Sequence, residues 1–150
     1  MTGPSFRFGL ERVRTVRKHT EDVAAAELLA ARMRAQDSER ELELAQRRIE
    51  DARLGAAAAP QTPVSGAELA AMQIWIECAE RALAVVAQTH ERDEREVDVR
   101  REELTVAAGE RKALDRLELR RRGEFDREVA RIEVRTLDEV ALAPYGGQAA

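Results

Sequence analysis

Residues 24–52 read AAAELLAARMRAQDSERELELAQRRIEDA, and the spacing inside that stretch decides the fold. Ala24, Leu28, Ala31, Ala35, Ser38, Leu42, Ala45, Ile49 and Ala52 succeed one another at steps of four and three, and Ser38 is the only polar member of the row. A sustained repeat of about 3.5 residues puts such a row on one side of an α-helix and winds two helices into a left-handed supercoil. The same alternation returns in Leu69, Met72, Ile76, Ala79, Leu83 and Val86. Carried onward it meets His90, Asp93, Val97, Arg100, Leu104, Ala107, Arg111 and Leu114, a seam that persists while becoming more polar. Ahead of the first row, Leu10, Val13 and Val16 extend the seam with a phase slip near Thr20. The sequence therefore predicts an all-α chain. Its two long helices form an antiparallel left-handed coiled-coil hairpin, the second helix longer and projecting beyond the first.

Proline marks the boundaries, at positions 4, 60, 63 and 144. A helix interior loses about 3 kcal/mol to a proline, so each proline-free stretch between them is free to be one helix. The reading is a single domain with a helix over 8–54, a turn over 55–64, a helix over 65–142 and a tail over 143–150. Leu54-Gly55 suits a C-terminal stop, because glycine accepts the left-handed cap. Ser65 followed by Glu68 fits a capping box. A turn of about a dozen residues folds the second helix back beside the first, with Leu54 near Gly66, Leu10 beside Glu110 and His90 opposite Ala30. Everything from Lys112 to Leu142 then overhangs the first helix. Pairs four apart, Glu118–Arg122, Arg120–Glu124, Arg122–Asp126 and Arg135–Glu139, are spaced to support that overhang as a lone helix, with Gly109 and Gly123 as flex points.

Composition removes several classes. Charged residues make up 36% of the chain and aromatic residues 3%, too few large rings for an ordinary globular core. No apolar run approaches the ~18 residues of a membrane span. A single cysteine, Cys78, excludes an intramolecular disulfide and any multi-cysteine metal site. No signal peptide is visible, so the expected compartment is the cytoplasm. The net charge of −4 argues against the broad basic field of a general nucleic-acid binder. His19 and His90 are the only histidines and fall on different helices, adjacent carboxylates such as Glu102-Glu103 point apart, and Gly146-Gly147 has no following helix. The chain is expected to be no enzyme and to hold no cofactor or metal.

Two surface features exceed what a two-helix seam requires. Ala71, Trp75, Cys78, Ala82 and Val85 form a second stripe beside the seam. It is either cover for the flank of a close-packed pair or an exposed patch that binds another protein, with Trp75 as anchor. Arg12, Arg14, Arg17 and Lys18 come level with Arg111, Lys112, Arg116, Arg120, Arg121 and Arg122. They are either solvated faces paired with nearby carboxylates or a local positive collar for an acidic partner. An RNA-binding helical arm and a plain structural coiled-coil scaffold are the alternative functions, although no stacking aromatics accompany the arginines.

The opening Phe6-Arg7-Phe8-Gly9-Leu10-Glu11-Arg12-Val13, continuing through Val16-Arg17 and Glu21, resembles the start of the flagellar type III export stalk family, FliJ. The far segment is similar as well: Glu110-Arg111-Lys112-Ala113-Leu114-Asp115-Arg116-Leu117, then Phe125, Glu133 and Leu137-Asp138-Glu139-Val140. The resemblance implies a non-enzymatic stalk and general chaperone that inserts into a hexameric export ATPase and promotes its ring assembly. It implies further contacts with the cytoplasmic domain of the membrane export gate and with export chaperones. Nucleic acid is not among the implied partners, and the membrane is reached only through partner proteins. Carried over by position, ATPase-ring binding falls to Arg14, Arg17, Arg111, Lys112, Leu114, Arg121 and Arg122, and export-gate binding to Trp75, Ala79, Ala82 and Val86.

Overall fold

A computed structural model describes residues 5–58 and 63–142. The prolines at 4, 60 and 144, the middle of the turn and the tail over 143–150 lie outside the described residues. Two helices make up the fold, α1 over Glu11–Ala57 and the longer α2 over Gly66–Leu142.

Both ends of α1 differ from the expected 8–54. Before it, the chain turns at Gly9-Leu10: the Glu11 amide donates to the Phe8 carbonyl at 3.1 Å and the Arg14 amide to the Leu10 carbonyl at 2.9 Å. After it, Gly55 is no stop. Ala56 and Ala57, the residue type with the strongest helix preference, carry the helix on. No glycine among the described residues has a positive φ. The start of α2 closes as a capping box. The Glu68 amide donates to Ser65 Oγ at 3.2 Å, and the Ser65 amide donates to Glu68 Oε2 at 2.8 Å. The hydrogen bond from the Ser65 amide is the first cause holding the Glu68 carboxyl below its ordinary range, with the Ser65 side chain second.

The chain divides into two compact units, Asp22–Thr105 and Met1–Glu21 with Val106–Ala150. In the first unit the alternating row is the inner face of α1. Ala24, Leu28, Ala31, Ala35, Ser38 and Ile49 are buried, and Leu42, Ala45 and Ala52 are half-buried. On α2, Ile76, Ala79, Leu83, Val86, His90, Asp93, Val97, Arg100 and Leu104 are all half-buried or buried at the same steps. Leu28, Ala31, Ala35 and Val97 form the core cluster, with Leu104 packed against it. The small side chains let the backbones approach closely, and Ala31 keeps 1% of its surface exposed.

Contacts across this unit run Glu27–Arg100, Arg34–Glu96, Ser38–His90 and Arg53–Glu80, falling along α2 as α1 advances, so the helices are antiparallel. The register differs from the expected one: His90 meets Ser38, not Ala30. The expected register would set Leu28 against Arg92 and Ala31 against Thr89. The observed pairing gives Leu28, Ala31 and Ala35 the apolar partners Val97 and Leu104 instead. Its cost falls at the start of α2, where Leu69 and Met72 stay exposed.

In the second unit the phase slip at Thr20 does not occur. Arg14, Arg17 and Glu21 keep the steps of three and four and are half-buried, whereas Leu10, Val13 and Val16 are exposed. On α2, Ala107, Arg111, Leu114 and Glu118 keep the same steps and are all half-buried or buried. The Phe6 ring lies 5.7 Å from that of Phe125 at an interplanar angle of 54°, and the Arg122 guanidinium sits 5.9 Å from the Phe6 ring. These contacts carry the pairing of the unit as far as Phe125, so the overhang begins beyond that residue and not at Lys112. From Asp126 to Leu142 every residue of α2 is exposed except the half-buried Val129. None of the four expected supporting pairs closes among the described residues; Glu128–Arg131 does, at 3.2 Å. Glu118 is taken by Arg14, and Arg122 turns toward Phe6.

Ala31→Leu forces a large side chain between the closest-packed turns and should destabilise the fold by about 1–3 kcal/mol. Ala30→Leu, one residue along on the exposed face, should leave the thermal midpoint nearly unchanged. Equal midpoints for the two variants would contradict the close contact at Ala31.

Candidate functional site

Three places gather candidate side chains. The first is a polar layer within Asp22–Thr105. Ser38 Oγ lies 3.2 Å from His90 Nδ1 and donates to the Ala35 carbonyl at 3.0 Å, and Asp93 is buried beside them. The three residue types are those of a hydrolytic triad, but their arrangement is not one. Asp93 accepts from Arg92 Nε and Nη2, at 3.3 and 3.0 Å, and so does not orient the imidazole. Arg92 is the first cause holding the Asp93 carboxyl below its ordinary range; burial opposes it, and Ser38 from the facing helix adds to it. A satisfied polar layer in an otherwise apolar seam fixes register. Among the described residues no group of three His, Cys, Asp or Glu side chains is placed to hold a metal ion.

The second place is the stripe along early α2. Ala71, Trp75, Cys78, Ala82 and Val85 are exposed, Trp75 by 51% and Val85 by 63%. The residues expected at the export gate divide between two faces. Ala79 and Val86 are half-buried in the seam, while Trp75 and Ala82 stand on the outer surface. Trp75 borders two shallow clefts, one with Ala45, Arg48, Cys78 and Ala82, the other with Ala52, Gly55, Met72 and Ile76.

The third place lies in the unit of Met1–Glu21 with Val106–Ala150. Here the two helices meet through charge. Arg14 contacts Glu118 directly, Glu11 at 2.9 Å and Asp115 at 3.9 Å. Arg17 reaches Glu110 at 2.7 Å. Arg111 is gripped by Glu21 on the facing helix and by Asp115 one turn along its own. The hydrogen bond to Glu21 is the first cause raising the Arg111 pKa above its ordinary value. Of the residues expected to bind an ATPase ring, Arg14, Arg17 and Arg111 are thus engaged within the chain, and Leu114 is half-buried in the seam. Lys112, Arg121 and Arg122 are exposed. A cleft lined by Phe6, Phe8, Leu10, Leu117, Arg121 and Phe125 opens beside them.

The family model described as "Flagellar FliJ protein" matches residues 6–149. The chain belongs to the FliJ family. No curated protein and no solved structure gives a significant match. Membership makes this FliJ protein a non-catalytic component of the flagellar export apparatus. Among the described residues no helix is long and apolar enough to cross a membrane.

The sequence left open that the arginines of this FliJ chain pair with nearby carboxylates, but did not single out Glu21, Glu110, Asp115 and Glu118 as the partners. Stepping backward from Ala24 by three and four gives Glu21, Arg17 and Arg14, a signal masked by the more familiar apolar trio Leu10, Val13 and Val16. The Phe6–Phe125 contact had no periodic signal, because Phe6 precedes α1.

The polar layer gives a pH prediction. Asp93 has its folded pKa lowered, so its contribution to stability is complete above the ordinary value of 3.8 and is lost as pH falls through the lower folded value. The stability difference between the native chain and Asp93→Asn, from urea unfolding, should be constant from pH 7 to pH 5 and shrink toward pH 2. A difference that grows on acidification would contradict the Arg92–Asp93 assignment.

Proposed function

We propose that this protein is the stalk and general chaperone of the flagellar type III export apparatus. In this role it inserts into the hexameric export ATPase and promotes ring assembly. It also links the ring to the cytoplasmic domain of the membrane export gate and receives export chaperones. The observation that carries the proposal is the family match over residues 6–149. The geometry lends support. The part of α2 beyond Phe125 is exposed along its length, including Ile132, Val134, Leu137 and Val140, and an exposed apolar helix is available to be gripped by another protein. The exposed cations Lys112, Arg121 and Arg122 suit an acidic rim around it. Trp75 and Ala82 supply an outward apolar surface for the gate, on a different stretch of α2.

Arg111 is a poor residue with which to test ring binding, since Arg111→Glu would set a third carboxylate against Glu21 and Asp115. Lys112 and Arg121 carry no such burden. Lys112→Glu with Arg121→Glu should leave helicity intact, weaken binding to the purified export ATPase by about tenfold at low salt, and abolish the stimulation of hydrolysis. Undiminished binding and stimulation in that double variant would count against the proposal.

A further inference from the structure

The end of the helix pair nearest the start of α1 is assembled differently from the rest. Within Met1–Glu21 with Val106–Ala150, the α1 seam positions are Arg14, Arg17 and Glu21, and each meets an opposite charge on α2. Two α2 carboxylates converge on Arg14, and two carboxylates, one from each helix, converge on Arg111. Glu21 and Glu118 each keep only 21% of their side chains exposed. All three pairs still touch water, so each contributes modestly to stability and is weakened by salt, Arg17–Glu110 most, at 43% exposed on both sides. As a clamp they are weak. As competitors they are well placed, because the oxygens they offer are those an acidic protein surface would offer to the same guanidinium groups.

We propose that Glu21, Glu110, Asp115 and Glu118 act as internal stand-ins for an acidic partner surface, holding Arg14, Arg17 and Arg111 in an autoinhibitory contact that the partner must displace. The inference rests on the stalk reading above and adds a regulation to the same site. The free chain presents Lys112 and Arg121 for the first encounter. Engagement then exchanges internal carboxylates for those of the partner, and the paired start of α1 loosens as the arginines change hands. The apparent affinity equals the intrinsic affinity scaled by the fraction of chains whose arginines are free.

Glu21→Gln with Glu118→Gln keeps side-chain shape while removing the charge on two of the competitors. Affinity of the full chain for the purified export ATPase should rise by about threefold to tenfold at fixed ionic strength. Hydrogen exchange over residues 11–21 should quicken in the free variant, and circular dichroism should report unchanged helix content. Glu110→Gln alone, which frees Arg17, should give a smaller gain in the same direction. The charge-reversed Lys112→Glu with Arg121→Glu chain separates internal competition from ring binding itself. If it loses binding while neither glutamine variant gains any, internal competition is overturned and the stalk reading stands. If it and the glutamine variants all bind as the native chain does, the stalk reading falls and the competition with it.

Discussion

Close contact between the alanine-rich face of α1 and Val97 of α2 is the constraint on which the rest depends. Leu28, Ala31 and Ala35 fit against Val97 only in one register, because a shift of a few residues would bring Arg92 or Thr89 into a space sized for methyl groups. Once that register is chosen, the polar seam positions have no freedom either. Ser38 meets His90 with Asp93 beside them, and the layer is satisfied by hydrogen bonds and an ion pair. A polar layer of this kind contributes little net stability, yet it penalises any neighbouring register that would leave it unpaired.

The same steps of three and four carry two different chemistries along α1. From Ala24 to Ile49 they place apolar and small side chains inward. From Arg14 to Glu21 they place charges inward, each answered on α2. Apolar packing is costly to separate because it must be re-exposed to water, whereas ion pairs that still touch water separate at less cost. The helix pair is therefore firm where residues pack and exchangeable where they pair by charge. The site we propose lies with the charge-paired residues, where Lys112, Arg121 and the exposed helix beyond Phe125 are also found.

Much of this was legible in the residues. Periodicity located the inner face of both helices between Ala24 and Ala107, and Ser65 with Glu68 located the start of α2 to within a residue. What could not be read was register, since every seam of this repeat has the same period and slides against its partner without changing it. The turn was the only guide to the offset, and Leu69 and Met72 misled by looking like the first layer of the core. Apolar preference misled again at Leu10, Val13 and Val16. A row of charges is a poor core until its complement is known, and the complement lay 90 to 104 residues away in sequence at Glu110, Arg111 and Glu118. The division of Trp75 and Ala82 from Ala79 and Val86 followed once the inner face was fixed.

Disulfide trapping at the start of α1 tests the account most directly, because it reads phase and register together. With Cys78 replaced by serine, Arg14→Cys paired with Glu118→Cys should oxidise rapidly to an intramolecular disulfide, while Val13→Cys paired with Ala107→Cys should stay reduced. The reverse outcome, with Val13 and Ala107 cross-linked and Arg14 and Glu118 free, would mean that the charged residues do not face one another and would contradict the account at its base.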